Sequence, residues 1–205
     1  MIDWVTAKSG DKVIRWQGRL LASRVDPSGE AREWFLRRLS FVTKVKSIFV
    51  LGAGSGFHLV ELARRTPARI LIIEPEMEIV DAVKPLIAEF GARVSWLSVG
   101  SARELRAIAD VRTAVAASFV VLEHPPSLSL DRGFYRECSA QLLGRDWGSL
   151  SWQWKLKGFA DLDSQPRINS VEEPLTIYDL DQCELVQDSA ERERMLIKAL
   201  RELVK

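Results

Sequence analysis

The residues of this chain with chemical reach stand where apolar runs end. Gly52, Gly54 and Gly56 follow the run 48–51, and His58 comes two residues later. Glu74 closes the run 70–73, and Gly100 and Ser101 follow the run 94–97 after a short link. Glu123 closes the run 116–123, and His124 comes next, ahead of Pro125 and Pro126. Glycines admit positive φ and let backbone approach a ligand with no Cβ in the way. A helix opening after them presents unpaired N–H groups and the positive end of its dipole, which suits an anionic or polar group. Glu74 lies 22 residues past Gly52, where a carboxylate can accept both hydroxyls of a ribose. As an acid on a rim, outside the core, its replacement by Ala is expected to leave stability nearly unchanged. Glu123 as base and His124, stiffened by two prolines, are the candidate catalytic pair. Gly52, Gly54, Gly56, His58, Glu74, Gly100 and Ser101 are the candidate cofactor-binding set.

These positions require a scaffold that gathers strand ends. Residues 47–78 read strand, glycine turn, helix, strand, acid, the first half of a Rossmann-like unit. A helix is expected from the acids after Pro75 to about Phe90, with Pro85 able to kink or shorten it and Gly91 ending it. Ser101–Glu104 reads as a capping box that opens a short helix to about Ala109. A strand over 116–123 and a helix over 131–143 complete the alternation. The fold class is therefore α/β: a Rossmann-like, doubly wound, mostly parallel sheet whose carboxyl strand ends share one rim. Ahead of it, residues 13–16 and 19–21 form a hairpin about Gln17–Gly18. Asp26 caps a helix with Pro27 at its first position. Ala31, Trp34, Phe35, Leu36 and Leu39 supply its apolar stripe. Arg32, Arg37 and Arg38 form a solvated face, with phosphate contacts as the sharper alternative. Beyond Gly144 the pattern changes to a C-terminal strand and helix extension. Residues 149–159, with alternating Trp152 and Trp154, read as a strand, 161–174 as a loop, and 175–180 and 183–186 as short strands. Asp188–Glu191 is a second capping box, opening a final helix that carries Met195, Leu196, Ala199, Leu200 and Leu203. The organisation is thus 1–44 hairpin and helix, 45–146 ligand-binding core, and 147–205 an extension that completes the sheet or a dimer surface. Trp147, Trp152 and Trp154 cover core or sheet edge, or else form a stacking or dimer surface.

Composition narrows the function. A chain of 205 residues with 47% hydrophobic content suits one domain with a small extension. A net charge of +1 gives no general reason for nucleic-acid or membrane-surface binding. Cys138 and Cys183 lack C-x-x-C spacing, which fits reduced thiols in a cytoplasmic protein. Met1 is not followed by an apolar leader, and no apolar run nears the ~20 residues of a membrane span. The sequence carries no metal-ligand cluster, P-loop or G-x-S-x-G nucleophile.

Two resemblances sharpen the expectation. The spacing G-x-G-x-G at Gly52–Gly56, with an acid at Glu74, is similar to that of S-adenosylmethionine (SAM) methyltransferases. Val50 stands where that family has an acid, two residues ahead of the first glycine. His124-Pro125-Pro126-Ser127 resembles the Asn-Pro-Pro-Tyr of amino-group methyltransferases, with His for the amide and Ser for the stacking ring. The second resemblance covers roughly 12–140. Leu21-Ala-Ser-Arg-Val-Asp-Pro-Ser-Gly-Glu-Ala31, Gly52-Ala-Gly-Ser-Gly-Phe-His58 and Glu74-Pro-Glu-Met-Glu78 are similar, in order and spacing, to segments of the bacterial motility accessory factors. Those proteins are linked to transfer of nonulosonic sugars onto flagellin. The family continues into a second domain with a G-x-G-P-S-L-D-like loop that has no counterpart here. The resemblance therefore implies a Rossmann-like first domain standing alone, with the glycine loop and a nucleotide-like ligand at Glu74 but without the sugar-transfer site. Such a module binds that ligand or a protein partner, and the C-terminal extension could pair edge to edge in a homodimer. The alternative is a small SAM-dependent methyltransferase.

Overall fold

The computed structural model describes residues 2–158, 194, 195 and 197. Two antiparallel strands, β2 (Lys12–Trp16) and β3 (Arg19–Leu20), make the expected hairpin. Its two turn residues both have positive φ, 49° at Gln17 and 78° at Gly18, which matches the turn to the right-handed twist of the strands. A further strand, β1 (Asp3–Thr6), pairs with β2 from Asp3↔Arg15 to Thr6↔Lys12. Sequence reasoning did not anticipate it, because a four-residue edge strand that is mostly exposed carries no apolar alternation to read. Asp26 caps α1 (Pro27–Leu36), its carboxylate accepting from Gly29 N at 2.7 Å. The short α2 (Leu39–Val42) leads into the core.

The core is a four-stranded parallel sheet flanked by helices. Its strands are β4 (Ser47–Leu51), β5 (Arg69–Ile73), β6 (Val94–Leu97) and β7 (Phe119–Glu123), in the order β6-β5-β4-β7. β4 is buried at every position and β5 at four of five, as expected for central strands covered on both faces. Connecting them are α3 (Phe57–Arg65), α4 (Met77–Val83) and α5 (Ala109–Ala116). Ile48, Val50, Ile70 and Ile72 face Leu59, Leu62 and Val83 in one apolar cluster that extends to Ile14, Trp34 and Phe35 of the hairpin and α1. The hairpin and α1 therefore share the core of the sheet. The chain passes from β4 to β5 and β6 on one side, then returns to lay β7 on the other side of β4. That reversal makes the crevice between the ends of β4 and β7 the topological switch point.

Several local expectations are corrected. The helix expected up to Phe90 is α4 followed by a 3-10 stretch, Lys84–Arg93, in which Gly91 takes φ 54°. The change comes at Pro85, as the sequence allowed: the second residue of that stretch, it lacks the N–H that a continued α-helix would need. The capping box at Ser101 closes between side chains: Ser101 Oγ donates to Glu104 Oε1 at 2.9 Å. It opens a 3-10 turn, Ala102–Ala107, after which α5 uses residues 109–116, and β7 begins at Phe119 rather than at Ala116.

Residues 1–139 and 140–205 are two compact units. α6 (Pro125–Leu128) belongs to the first, and α7 (Arg132–Leu143) runs from the first into the second. In the second, the expected strand at 149–159 is a helix, α8 (Trp147–Leu156). Asp146 caps it by accepting from Ser149 N at 2.9 Å, and that local bond outweighs the two-residue alternation of Trp152 and Trp154. Gln153 Nε2 donates to Leu142 O at 2.7 Å and to Gln141 O at 3.2 Å. The expected loop at 161–174, the strands at 175–180 and 183–186 and the capping box at 188–191 lie outside the described residues. Of the final helix, Arg194, Met195 and Ile197 are helical. Among the described residues no helix is long and apolar enough to cross a membrane.

Candidate functional site

The turn after β4 needs its glycines. Gly52, Gly54 and Gly56 have φ of 94°, 54° and 87°, a region that L side chains avoid. The room their missing side chains leave is already filled. A Cβ on Gly52 would collide with the side chain of Ser127, and one on Gly54 with the His124 ring. On Gly56 it would press Val83 at 2.9 Å. The glycines admit the protein's own α6 segment and α4. The turn is further clasped by the hairpin: Ser55 Oγ accepts from Ile14 N at 3.0 Å, and Ser55 N donates to Leu21 O at 3.3 Å.

Glu74 does not lie open on the rim. It is fully buried. Its Oε2 accepts from Ala53 N at 2.8 Å and from the Tyr135 hydroxyl at 3.3 Å, and its Oε1 accepts from Glu76 N at 3.2 Å. Burial pushes its pKa from 4.5 up to about 7, against the pull of those three donors. Glu74 is thus a core strut between the glycine turn, the chain after β5 and α7, and the expectation that its loss costs little stability is reversed. Gly100 and Ser101 are bonded to Glu104, through Gly100 N at 3.2 Å and Ser101 Oγ.

The two histidines do meet. Their rings stack with centroids 3.9 Å apart and planes within 4°, and both are buried. His58 Nε2 lies 3.1 Å from Gly52 O. A carbonyl can only accept, so the proton sits on Nε2 and Nδ1 carries a lone pair. His124 Nδ1 is 2.8 Å from Ser127 Oγ. Burial holds His58 down at about 3, and the nearby Arg38 charge adds to that. Burial, then the His58 and Arg38 charges, hold His124 well below 6.5. Both rings are therefore neutral. Trp34 meets His58 edge-on at 5.2 Å and donates from Nε1 to Glu123 O at 3.1 Å. The Glu123 side chain is exposed, so this residue contributes its carbonyl to the site rather than a base beside His124. Ser127, fully buried, is closed to any substrate in solution.

A cavity of about 450 Å³ opens over this stack, a size that suits a small ligand. α1 lines it with Ala31 and Trp34, the N-cap position of α2 with Arg38, and the link from β3 with Leu21 and Ala22. Ser55, Phe57 and His58 come from the β4 end, and His124 to Pro126 from the β7 end. It thus sits at the switch point. Of the anticipated residues only His58 and His124 line it. Sequence reading had placed Trp34 in a core stripe and Arg38 on a solvated face. Arg38 is half-buried, its guanidinium 4.5 Å above the Trp34 ring and donating to Trp34 O at 3.0 Å. The phosphate-contact alternative for Arg32, Arg37 and Arg38 was the signal that pointed to it. Among the described residues no group of three His, Cys, Asp or Glu side chains converges as a metal site. Compared with protein-family models and with curated proteins, the chain matches none.

Proposed function

We propose that this chain is a Rossmann-like binding domain for a nucleotide-type ligand, an accessory module similar to the first domain of motility accessory factors and serving surface-glycan or flagellin glycosylation. The observation that carries the reading is the position of the cavity. It lies between the carboxyl ends of β4 and β7, where the strand order reverses, and open α/β sheets bind ligands at that crevice. The ligand enters beneath α1 rather than onto the glycine turn. The filled space at Gly52 and Gly54 and the fully committed carboxylate of Glu74 favour this reading over a SAM-dependent methyltransferase, in which a cofactor would need both. Calorimetric titration with CMP, ATP and S-adenosylhomocysteine tests it. Binding of a nucleotide, abolished when Ala22→Phe fills the cavity, is the expected result. Binding of S-adenosylhomocysteine alone, indifferent to Ala22→Phe, would return the methyltransferase.

A further inference from the structure

The cavity wall is electrically uneven, and its unevenness selects a ligand. Of its charged lining groups, Glu30 is spent on Ser23 N, accepting at 2.6 Å, and Glu33 on Arg37 at 3.0 Å. Arg38 is different. Its guanidinium is pinned between the Trp34 ring and Trp34 O through Nη1. Glu123 favours its charge from nearby but forms no ion pair with it. An Arg fork has five N–H donors, so Nε and Nη2 remain for a guest. This is a preset cation held by an aromatic face, with little side-chain freedom left to lose on binding.

The histidine end has the opposite requirement. His58 Nε2–H is committed to Gly52 O, so its Nδ1 presents a lone pair. An anionic oxygen facing that lone pair would be repelled, whereas a hydroxyl or amine would donate to it. His124 has its Nδ1 on Ser127, and its Nε2 is the nitrogen left for a guest. Both rings line the cavity and are more than nine-tenths buried, so a guest that satisfies these nitrogens does so away from water.

Resting on the proposed ligand-binding reading, we infer that the cavity takes a small organic phosphomonoester in one orientation: phosphate on Arg38, and a hydroxyl- or amine-bearing end on the free ring nitrogens of His58 and His124. The shared chemistry covers a nucleoside monophosphate and a sugar phosphate, and the probes separate them. The protein is titrated with AMP, ribose 5-phosphate, adenosine and inorganic phosphate, with Arg38→Gln and Arg38→Lys alongside.

AMP or ribose 5-phosphate binds more tightly than either half-ligand, adenosine or inorganic phosphate. AMP alone identifies a nucleotide, and both together a sugar phosphate. Arg38→Gln weakens the phosphomonoester by about 10-fold or more, the usual value of a charge-assisted contact, and leaves adenosine unchanged, which also reports an intact fold. Arg38→Lys restores part of the loss. The nitrogen NMR signal of His58 Nδ1 moves with AMP and not with inorganic phosphate. Unchanged AMP binding in Arg38→Gln, while Ala22→Phe still blocks it, overturns this orientation and leaves the binding reading standing. No binding of any probe, or binding indifferent to Ala22→Phe, overturns the binding reading and this inference with it.

Discussion

Glu74 makes the fold pH-sensitive up to neutrality, beyond the range in which exposed carboxylates titrate. Its carboxyl ionises at about 7 when folded and at 4.5 ordinarily. The folded chain therefore holds this proton more tightly than the unfolded one, and between those limits unfolding releases it. The stabilisation is fully present below pH 4.5 and is lost as pH rises through about 7. At about 1.4 kcal/mol for each pH unit, the folded state gives up about 3 kcal/mol across the window, or roughly 6–12 °C in Tm for a domain of this size. His58 and His124 act in the other direction. Held neutral below their ordinary 6.5, they gain protons only on unfolding, so their contribution grows as pH rises toward 6.5. A pH profile of the wild type alone mixes the two effects. The difference between wild type and Glu74→Gln isolates the carboxyl, because the variant keeps both histidines and cannot ionise at position 74. The amide introduced by Glu74→Gln would also set an NH2 against one of the three donors, at a pH-independent cost of about 1–3 kcal/mol. Urea unfolding followed by tryptophan fluorescence at pH 4.5, 6, 7 and 8 should show the stability advantage of wild type shrinking by about 3 kcal/mol from first to last. A difference that stays constant with pH would refute the buried-carboxyl reasoning.

Two further outcomes follow from packing. Gly54→Ala and Gly91→Ala share a φ of 54°, but only the first adds a Cβ that collides with a buried ring. Gly91, at φ 54° and ψ −133°, sits where essentially only glycine is at ease. Thermal unfolding should therefore show a loss of about 1–3 kcal/mol there from backbone strain alone, and of about 3 kcal/mol or more at Gly54, where the collision adds to strain; a smaller loss at Gly54 than at Gly91 would mean that the His124 contact is soft. Cys138 is fully buried, and burial pushes its thiol up to about 12. It should therefore resist a thiol reagent at pH 8 until urea unfolds the chain, and prompt labelling of a Cys183→Ser variant under native conditions would contradict this placement.

The parts of the fold legible in sequence were those whose signal is local. Ile48–Leu51 and Ile70–Ile73 are unbroken apolar runs because central parallel strands are covered on both faces, and the glycines announce a turn because L side chains rarely adopt its φ values. β1 was invisible because its stability comes from pairing with β2 and not from apolar burial of its own. The alternation of Trp152 and Trp154 suggested a strand, although Asp146 ahead of them already carried a helix-cap signal. The site was half legible for a related reason. Strand-end logic found His58 and His124, but their stacking, the exclusion of Glu123 and the roofing by Trp34 and Arg38 depend on how α1 lies across the sheet. Glu74 was placed at the correct strand end yet given the wrong surroundings, because Tyr135 reaches it from 61 residues away.

The clasp of the hairpin on the glycine turn has a consequence for the order of assembly. Ile14 and Ser55 are 41 residues apart, so the turn's geometry is guaranteed by chain that leaves the ribosome before it. During synthesis the hairpin, with its local contacts, is already available when the turn emerges, and it can act as a template for it. β7 emerges later still and must insert beside β4 for His124 to reach Gly54. Until β7 arrives, β4 keeps one bare, apolar edge that can mispair with another chain, whereas refolding of the complete chain from urea has β7 available from the start.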